Sequence, residues 1–335
     1  MPVHMRGIAS AAALLLAIAA RPAADEKPWE LAAPAPAIRL RPEKLDKLEG
    51  ESCGRCHADV LAEWVGSAHA ISWLDEVYRE ALKEKSRPEA CWGCHTPKPL
   101  LADGLAQRAE ARAELQALGI ACTSCHSAAD GSVLGPAGRP SSAHASRASD
   151  SMTEKASSAL CSVCHATNIG PVVGIAKDFE TSKQAQRGRS CIGCHMQVVE
   201  RKPAQGAPEG ATAYKGRSHA IQTPRDPTFL ARAFEITLAV EGQRSVVTIK
   251  NLAGHRVPGL IGREVSFQAE LLDAQGKKLA SGELSLDAQR YLPVDQSVQM
   301  PLGAVGKKVR IVGMERDPRA DAPVRFLERE LVPAR

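Results

Sequence analysis

The chain has 335 residues, a formal net charge of +5, and only 4% aromatic residues. That length suggests about two domains. One short apolar stretch lies near the start and no other long apolar run follows, so the mature chain is not expected to span a membrane.

Taken in order, residues 1–24 read as a secretory signal peptide. Arg6 supplies positive charge, 8–20 is a short stretch rich in alanine and leucine, and small residues at 19–24 offer cleavage sites. Residues 25–50 form an extended lead-in rich in proline and alanine. Helices are expected over 58–67 and 74–85, the second with Leu74, Val77, Tyr78, Ala81 and Leu82 on one face. The clearest helical sequence is 104–118, stopped by Gly119. Residues 127–151 and 200–217 read as loops. From Phe234 onward the pattern changes to six or seven short strands, with turn signals at Glu241–Gly242 and around Gly276. A small antiparallel sandwich is expected there. The expected fold class is a mostly α, loop-rich domain over 51–225 followed by an all-β sandwich-like domain over 230–335.

Every cysteine falls in one of five C-x-x-C-H motifs: Cys53–Cys56–His57, Cys91–Cys94–His95, Cys122–Cys125–His126, Cys161–Cys164–His165 and Cys191–Cys194–His195. This is the attachment sequence for c-type haem: the two thiols bond to the porphyrin and the histidine is the proximal iron ligand. Zinc would leave the histidine after each second cysteine unexplained, and five half-sites do not pair evenly. A disulfide framework explains the even count but not the histidines, and the runs typical of iron–sulfur ligation are absent. Five haem c groups are therefore expected. Covalent attachment occurs outside the bacterial cytoplasmic membrane, which agrees with the leader and points to the periplasm, with cell-surface export also open. The segment from 53 to 195 carries few large apolar side chains, so porphyrins would have to supply its core. Haem also changes the charge. Losing Arg6 and Arg21 with the leader takes +5 to +3, and ten propionates with five ferric cores bring the oxidised protein to about −2 and the reduced one to about −7. The basic composition thus gives no argument for nucleic acid.

Five irons need sixth ligands. Outside the motifs and the leader, the histidines are His69, His144, His219 and His255. The first three sit among serine and alanine, where a porphyrin can approach the backbone. His255 lies in a glycine- and proline-bounded turn between strands. By chain order His69 follows motif one, His144 motif three and His219 motif five. If His255 serves motif two or four, the unmatched iron is that of His95 or His165. Met152 and Met196 are further candidates for the fifth position, and an open position is the alternative. Trp64, Trp73 and Trp92 are placed to stack on porphyrins.

These residues carry a resemblance: Cys53-Gly54-Arg55-Cys56-His57 with Glu63-Trp64 and Ser67-Ala68-His69-Ala70; Cys91-Trp92-Gly93-Cys94-His95-Thr96-Pro97; Gly119-Ile120; Gly135-Pro136 with His144; and Cys194-His195-Met196. Over about 50–222 the chain resembles the multihaem cytochrome c family that includes the tetrahaem electron acceptor of hydroxylamine oxidoreductase. The ending, N-x-x-G-H-x-x-P-G followed by strands, resembles a β-domain appended to several extracytoplasmic multihaem cytochromes. The resemblance implies parallel and perpendicular haem pairs, bis-histidine ligation, electron transfer and redox partner proteins. An electron carrier is the expected function. Alternatives are a reductase of small nitrogen or sulfur species at an open haem, and a subunit of a larger or polymeric conduit. An oligomer is compatible with the sequence.

Overall fold

The structure, a computed structural model, describes residues 53–168, 174–205 and 212–333. The expected leader and lead-in lie outside them. All described residues belong to one compact unit spanning Ala32–Arg335.

The first half is built on short helices, four of which end on a motif histidine: Glu89–His95, Cys122–His126, Ser157–His165 and Cys191–His195. The first motif makes a single turn in which His57 N–H donates to Cys53 O at 2.9 Å. The motif spacing explains this choice. Helix positions i, i+3 and i+4 share one face, so a helical turn presents both thiols and the imidazole to the same side. Serines start two of these turns: Ser190 Oγ accepts from Gly193 N–H at 3.1 Å, and Ser67 Oγ from Ala70 N–H at 3.3 Å, opening the helix Ala68–Ile71.

The helices Ala58–Val65 and Glu76–Lys83 lie where the periodicity places them. The helix expected over 104–118 does not form; only Gln116–Leu118 makes a 3₁₀ turn. This segment is bonded instead to the chain after the second motif. Arg112 N–H donates to Thr96 O at 2.9 Å and Lys98 N–H to Glu110 O at 2.8 Å. The Arg112 guanidinium also donates to the carbonyls of Pro97, Leu115 and Gly119. Such tertiary bonds outweigh a helix propensity of a few tenths of a kcal/mol per residue. Gly119 has φ +56, and a Cβ there would sit 2.5 Å from His69 O. The glycine therefore permits close approach to the His69 turn rather than ending a helix.

The two expected loops each hold a short ladder. Strands β1 (Val133–Gly135) and β2 (Ser146–Ala148) pair in parallel, and β3 (Val198–Arg201) and β4 (Tyr214–Arg217) pair antiparallel. Each is too short to leave a periodic signal. The first half is thus not mostly α: its longest described helix has nine residues, and loops and short ladders fill the space between helices. Its buried apolar clusters among the described residues are small, one around Trp64, Ala70, Leu118 and Ala121, the other around Leu101, Ala128 and Leu134.

The second half carries a larger core. Strands β5 (Phe234–Glu241), β6 (Arg244–Asn251) and β9 (Ser297–Leu302) form one sheet in the order β5-β6-β9. Strands β7 (Glu264–Leu272), β8 (Lys278–Leu286), β10 (Lys308–Arg316) and β11 (Val324–Leu331) form another in the order β11-β10-β7-β8. All these pairings are antiparallel. Alternate residues point inward, and both sheets contribute to one apolar cluster. At its centre Phe267 meets Phe234 and Phe326 edge-on at 5.0 and 5.7 Å. Strand β9 has no clear strand signal because Pro301 interrupts it; the proline is tolerated at the edge of its sheet.

Buried ion pairs join the halves. Arg319 Nε meets Asp75 Oδ2 at 2.7 Å, and Arg256 meets Asp178 through two nitrogens at 2.5 and 2.8 Å. Phe267 is fully buried, and Phe267→Ala should lower the stability of the β-region by about 3–5 kcal/mol. Denaturant unfolding followed by circular dichroism measures this, and a loss near zero would remove Phe267 from the centre of the core.

Candidate haem-binding site

Three of the motif histidines stand opposite a histidine from another segment. His69 faces His165 with ring centres 6.3 Å apart, His126 faces His219 at 6.0 Å, and His195 faces His255 at 6.1 Å. His57 and His144 are close enough for His144 to depress the His57 pKa, second only to desolvation. Two metal–imidazole bonds of about 2 Å each, with the span from nitrogen to ring centre, fill about this gap. Among the described residues no three His, Cys, Asp or Glu side chains converge as in a closed zinc site.

The imidazoles are oriented for ligation. Nδ1 of His95, His126 and His195 lies 2.6, 2.7 and 2.8 Å from the carbonyls of Ser72, Leu134 and Gln222. His219 and His255 use the carbonyls of Arg217 and Arg256, at 3.0 and 2.8 Å. A donated Nδ1–H fixes the tautomer that leaves Nε2 free as a ligand. Desolvation drives His69 down to about 3 and His195 and His219 to about 4, with neighbouring histidines adding to it. These rings are therefore neutral with their lone pairs available.

The cysteines link the motifs to one another. None of the ten is joined in a disulfide. Cys53 lies within hydrogen-bonding reach of Cys122, Cys94 of Cys164, and Cys161 of Cys191. Cys125 bears electrostatically on Cys161 and Cys164. Motif one therefore adjoins motif three, while motif four adjoins motifs two, three and five. The residues present fit covalently attached haem: paired thiols beside an oriented imidazole, with a second imidazole across a gap of the right width.

The pairing departs from chain order at every site. His69 meets motif four, His144 motif one, His219 motif three and His255 motif five. His255 thus stands opposite the motif-five histidine, and it also bears electrostatically on His165 of motif four. No histidine ring faces His95 among the described residues. Met152 packs against the cluster of Leu101, Ala128 and Leu134, and Met196 closes the helix Cys191–His195. At His95 the Tyr78 ring lies flat on the imidazole, centres 3.6 Å apart and 6° from parallel. Trp73 packs against both Tyr78 and Trp92. Among the described residues Tyr78 Oη, Trp92 Nε1 and Thr96 Oγ1 are buried without hydrogen-bond partners.

A second layer holds the facing histidines. Glu63 accepts from His219 N–H at 2.8 Å and from Arg201 Nη2 through both oxygens at 3.0 Å. Asp178 accepts from Arg256 N–H at 3.1 Å as well as from its guanidinium, which lies over the Tyr291 ring at 4.2 Å. Asn251 is fully buried and donates to the carbonyls of His255, Leu292 and Pro293 at 2.9, 3.1 and 3.0 Å. Sequence reading passed over Asp178, Arg201 and Tyr291. Asn251 was within reach, because it belongs to the same short motif as His255.

Residues 52–127, which hold the first three C-x-x-C-H motifs, match the family described as cytochrome c554 and c-prime. No curated protein matches the chain. Among solved structures, the penta-heme cytochrome c552 from Thermochromatium tepidum is 17% identical over 86% of this chain and 99% of that one, with a TM-score of 0.53. A glycosyl hydrolase family 2 member from Bacteroides cellulosilyticus aligns over 29% of this chain and 13% of its own, at 12% identity and a TM-score of 0.19. Residues 52–127 are thus similar to a cytochrome family, and over most of its length the chain shares a fold with the penta-heme protein. No described helix is long and apolar enough to cross a membrane.

Asn251→Ala should cost about 1–3 kcal/mol through the carbonyls it strands, measured by urea unfolding; an unchanged midpoint would show that the His255 turn holds without it. Acid should act through the histidines. Their folded pKa values are depressed, so their contribution is complete above the ordinary value of 6.5 and is lost as pH falls toward about 3 for His69.

Proposed function

We propose that this chain is a periplasmic pentahaem cytochrome c that carries electrons between redox partner proteins. The observation that supports this most is the set of facing histidines at motifs three, four and five, each bringing a distant segment to a motif imidazole, with His144 acting electrostatically on His57 of motif one. In this reading the cysteines of each motif hold one haem through two thioether bonds. His57, His95, His126, His165 and His195 are the proximal ligands. His144, His219, His69 and His255 are the distal ligands at the first, third, fourth and fifth motifs. Bound haem supplies a ferric–ferrous couple, and axial histidine rather than methionine places its potential low. The chain's own part is to fix axial ligands, exclude water and bring the motifs close. The cysteine contacts give a route from motif one through three to four, branching from four to two and to five.

The environment of His95 favours a second activity at the same protein. With no facing histidine there among the described residues, we assign the second haem an open coordination position. A small nitrogen or sulfur species is the class of ligand or substrate that could bind it. The aromatic group of Tyr78, Trp73 and Trp92 shields the proximal imidazole from solvent.

Electron paramagnetic resonance of the oxidised holoprotein tests both statements. Four low-spin haems and one high-spin haem are expected, and the high-spin signal should shift with cyanide or nitric oxide. His255→Ala should convert one further haem to high spin while intact mass still reports five attached haems. Unchanged spectra in that variant would remove the β-region from the ligand set, and five low-spin signals in the parent would close the second site.

A further inference from the structure

Strand β10 breaks its own pattern at one end. Its inward positions run Val309, Ile311, Gly313 and then Glu315, which is 1% exposed. The cross-strand partners of Glu315 are Val265 on β7 and Val324 on β11. Among the described residues neither carboxylate oxygen has a hydrogen-bond partner. A buried carboxylate without hydrogen bonds is costly, so an inward glutamate here calls for a reason beyond packing.

The charged groups that face it are few. Arg263 precedes β7, Asp317 follows Glu315 on its own chain, and Arg225 comes from the segment leading into the helix Pro227–Ala231. Arg263 is bound to Asp317 at 2.8 Å, and Asp317 also binds Arg319 at 3.1 Å. Arg225 Nε and Nη1 are buried and, like the glutamate, have no partner among the described residues. Asp226, next to Arg225, is occupied by Gln222 Nε2 and Phe229 N–H.

The same elements reach the paired histidines. Gln222 O, three residues before Arg225, lies 2.8 Å from His195 Nδ1, and Phe229 meets the His195 ring edge-on at 5.1 Å. Arg263 bears electrostatically on both His195 and Glu315. Glu315 and His195 thus share Arg263 and the segment around Gln222 and Arg225 as neighbours.

We propose that Glu315 is a proton-binding site coupled to the redox state of the haem held between His195 and His255. The inference rests on the ligand reading above. Glu315 takes one proton from solvent, forming its O–H bond, for the one electron that a redox partner protein delivers to the neighbouring iron. It returns the proton when that electron leaves, so the buried region changes no net charge. Desolvation already lifts Glu315 to about 7. An added negative charge nearby lifts a carboxyl further. Below about pH 7 Glu315 is protonated in both states, and above it reduction brings proton uptake.

Two measurements on the holoprotein decide the matter. The first is redox titration followed by paramagnetic resonance, with the His195–His255 haem recognised as the low-spin signal that His255→Ala removes. Its reduction equilibrium should fall with rising pH above about 7, approaching tenfold per pH unit where one proton follows one electron. Glu315→Gln should flatten that dependence. The second is the redox-linked infrared difference spectrum of the unaltered protein. A carbonyl band of a protonated carboxyl should appear on reduction at alkaline pH and shift in heavy water. A pH-independent equilibrium, persistence of the dependence in Glu315→Gln, or the absence of that band would each overturn the proposal. If Glu315→Gln does not accumulate, the infrared band decides alone. Intact mass and spin count separate the two readings: a missing haem at His195 overturns the ligand assignment and this inference with it, whereas a loaded but proton-independent haem overturns this inference only.

Discussion

The structure depends on holding two neutral imidazoles face to face across about 6 Å. That arrangement has no stability of its own. The rings do not touch, and desolvation sets their pKa values far below the ordinary range. A buried polar group is tolerated when something satisfies it. In His126, His195, His219 and His255 the Nδ1 nitrogen is satisfied by a backbone carbonyl. Only a group that bonds both rings at once makes the gap favourable. The small apolar clusters of the first half follow from the same fact, since a planar apolar cofactor replaces the side chains that a core of this size otherwise needs.

Crossed pairing turns that local constraint into a fold. Each facing histidine comes from a segment far in sequence from the motif it meets, so every facing pair also joins distant segments. His69 ties the first helices to motif four, His219 ties the β3–β4 hairpin to motif three, and His255 ties the sandwich to motif five. The ion pairs Arg319–Asp75 and Arg256–Asp178 run beside these links and are shielded from solvent. Breaking such a pair by removing one partner leaves a buried charge, which costs more than a surface pair contributes.

Much of this was legible in the chain. The cofactor chemistry follows from C-x-x-C-H because i, i+3 and i+4 share a helical face, which is a local rule. The strands β5, β6, β7, β8, β10 and β11 were readable because one face of each is buried and period two survives. The histidines that face the motifs were also readable, as the only ones left over. Their partners were not, because chain order carries no information about which segments meet in space. The segment 104–118 misled for a related reason. Its composition is that of a helix, but Arg112 finds four carbonyls outside a helix, and no propensity scale contains those bonds. Met152 drew notice as a possible ligand and turned out to fill a small core, the usual use of an unbranched apolar side chain.

The turn from Ser67 to Ser72 shows how closely the second and fourth motifs are joined. Its helix Ala68–Ile71 presents His69 to His165. Its last residue, Ser72, holds His95 twice: the Ser72 carbonyl meets His95 Nδ1 at 2.6 Å, and Ser72 Oγ donates to His95 O at 2.8 Å. Only two residues, Ala70 and Ile71, therefore lie between the histidine that faces His165 and the residue that supports His95. On the far side Gly119 closes over the same turn, with Ile120 N–H bonded to His69 O at 3.0 Å. A displacement of His95 is borne by the turn that also holds His69. The Cys94–Cys164 contact joins the same two motifs from the other side. Through this turn, a displacement of His95 has a direct mechanical path to the His69–His165 pair.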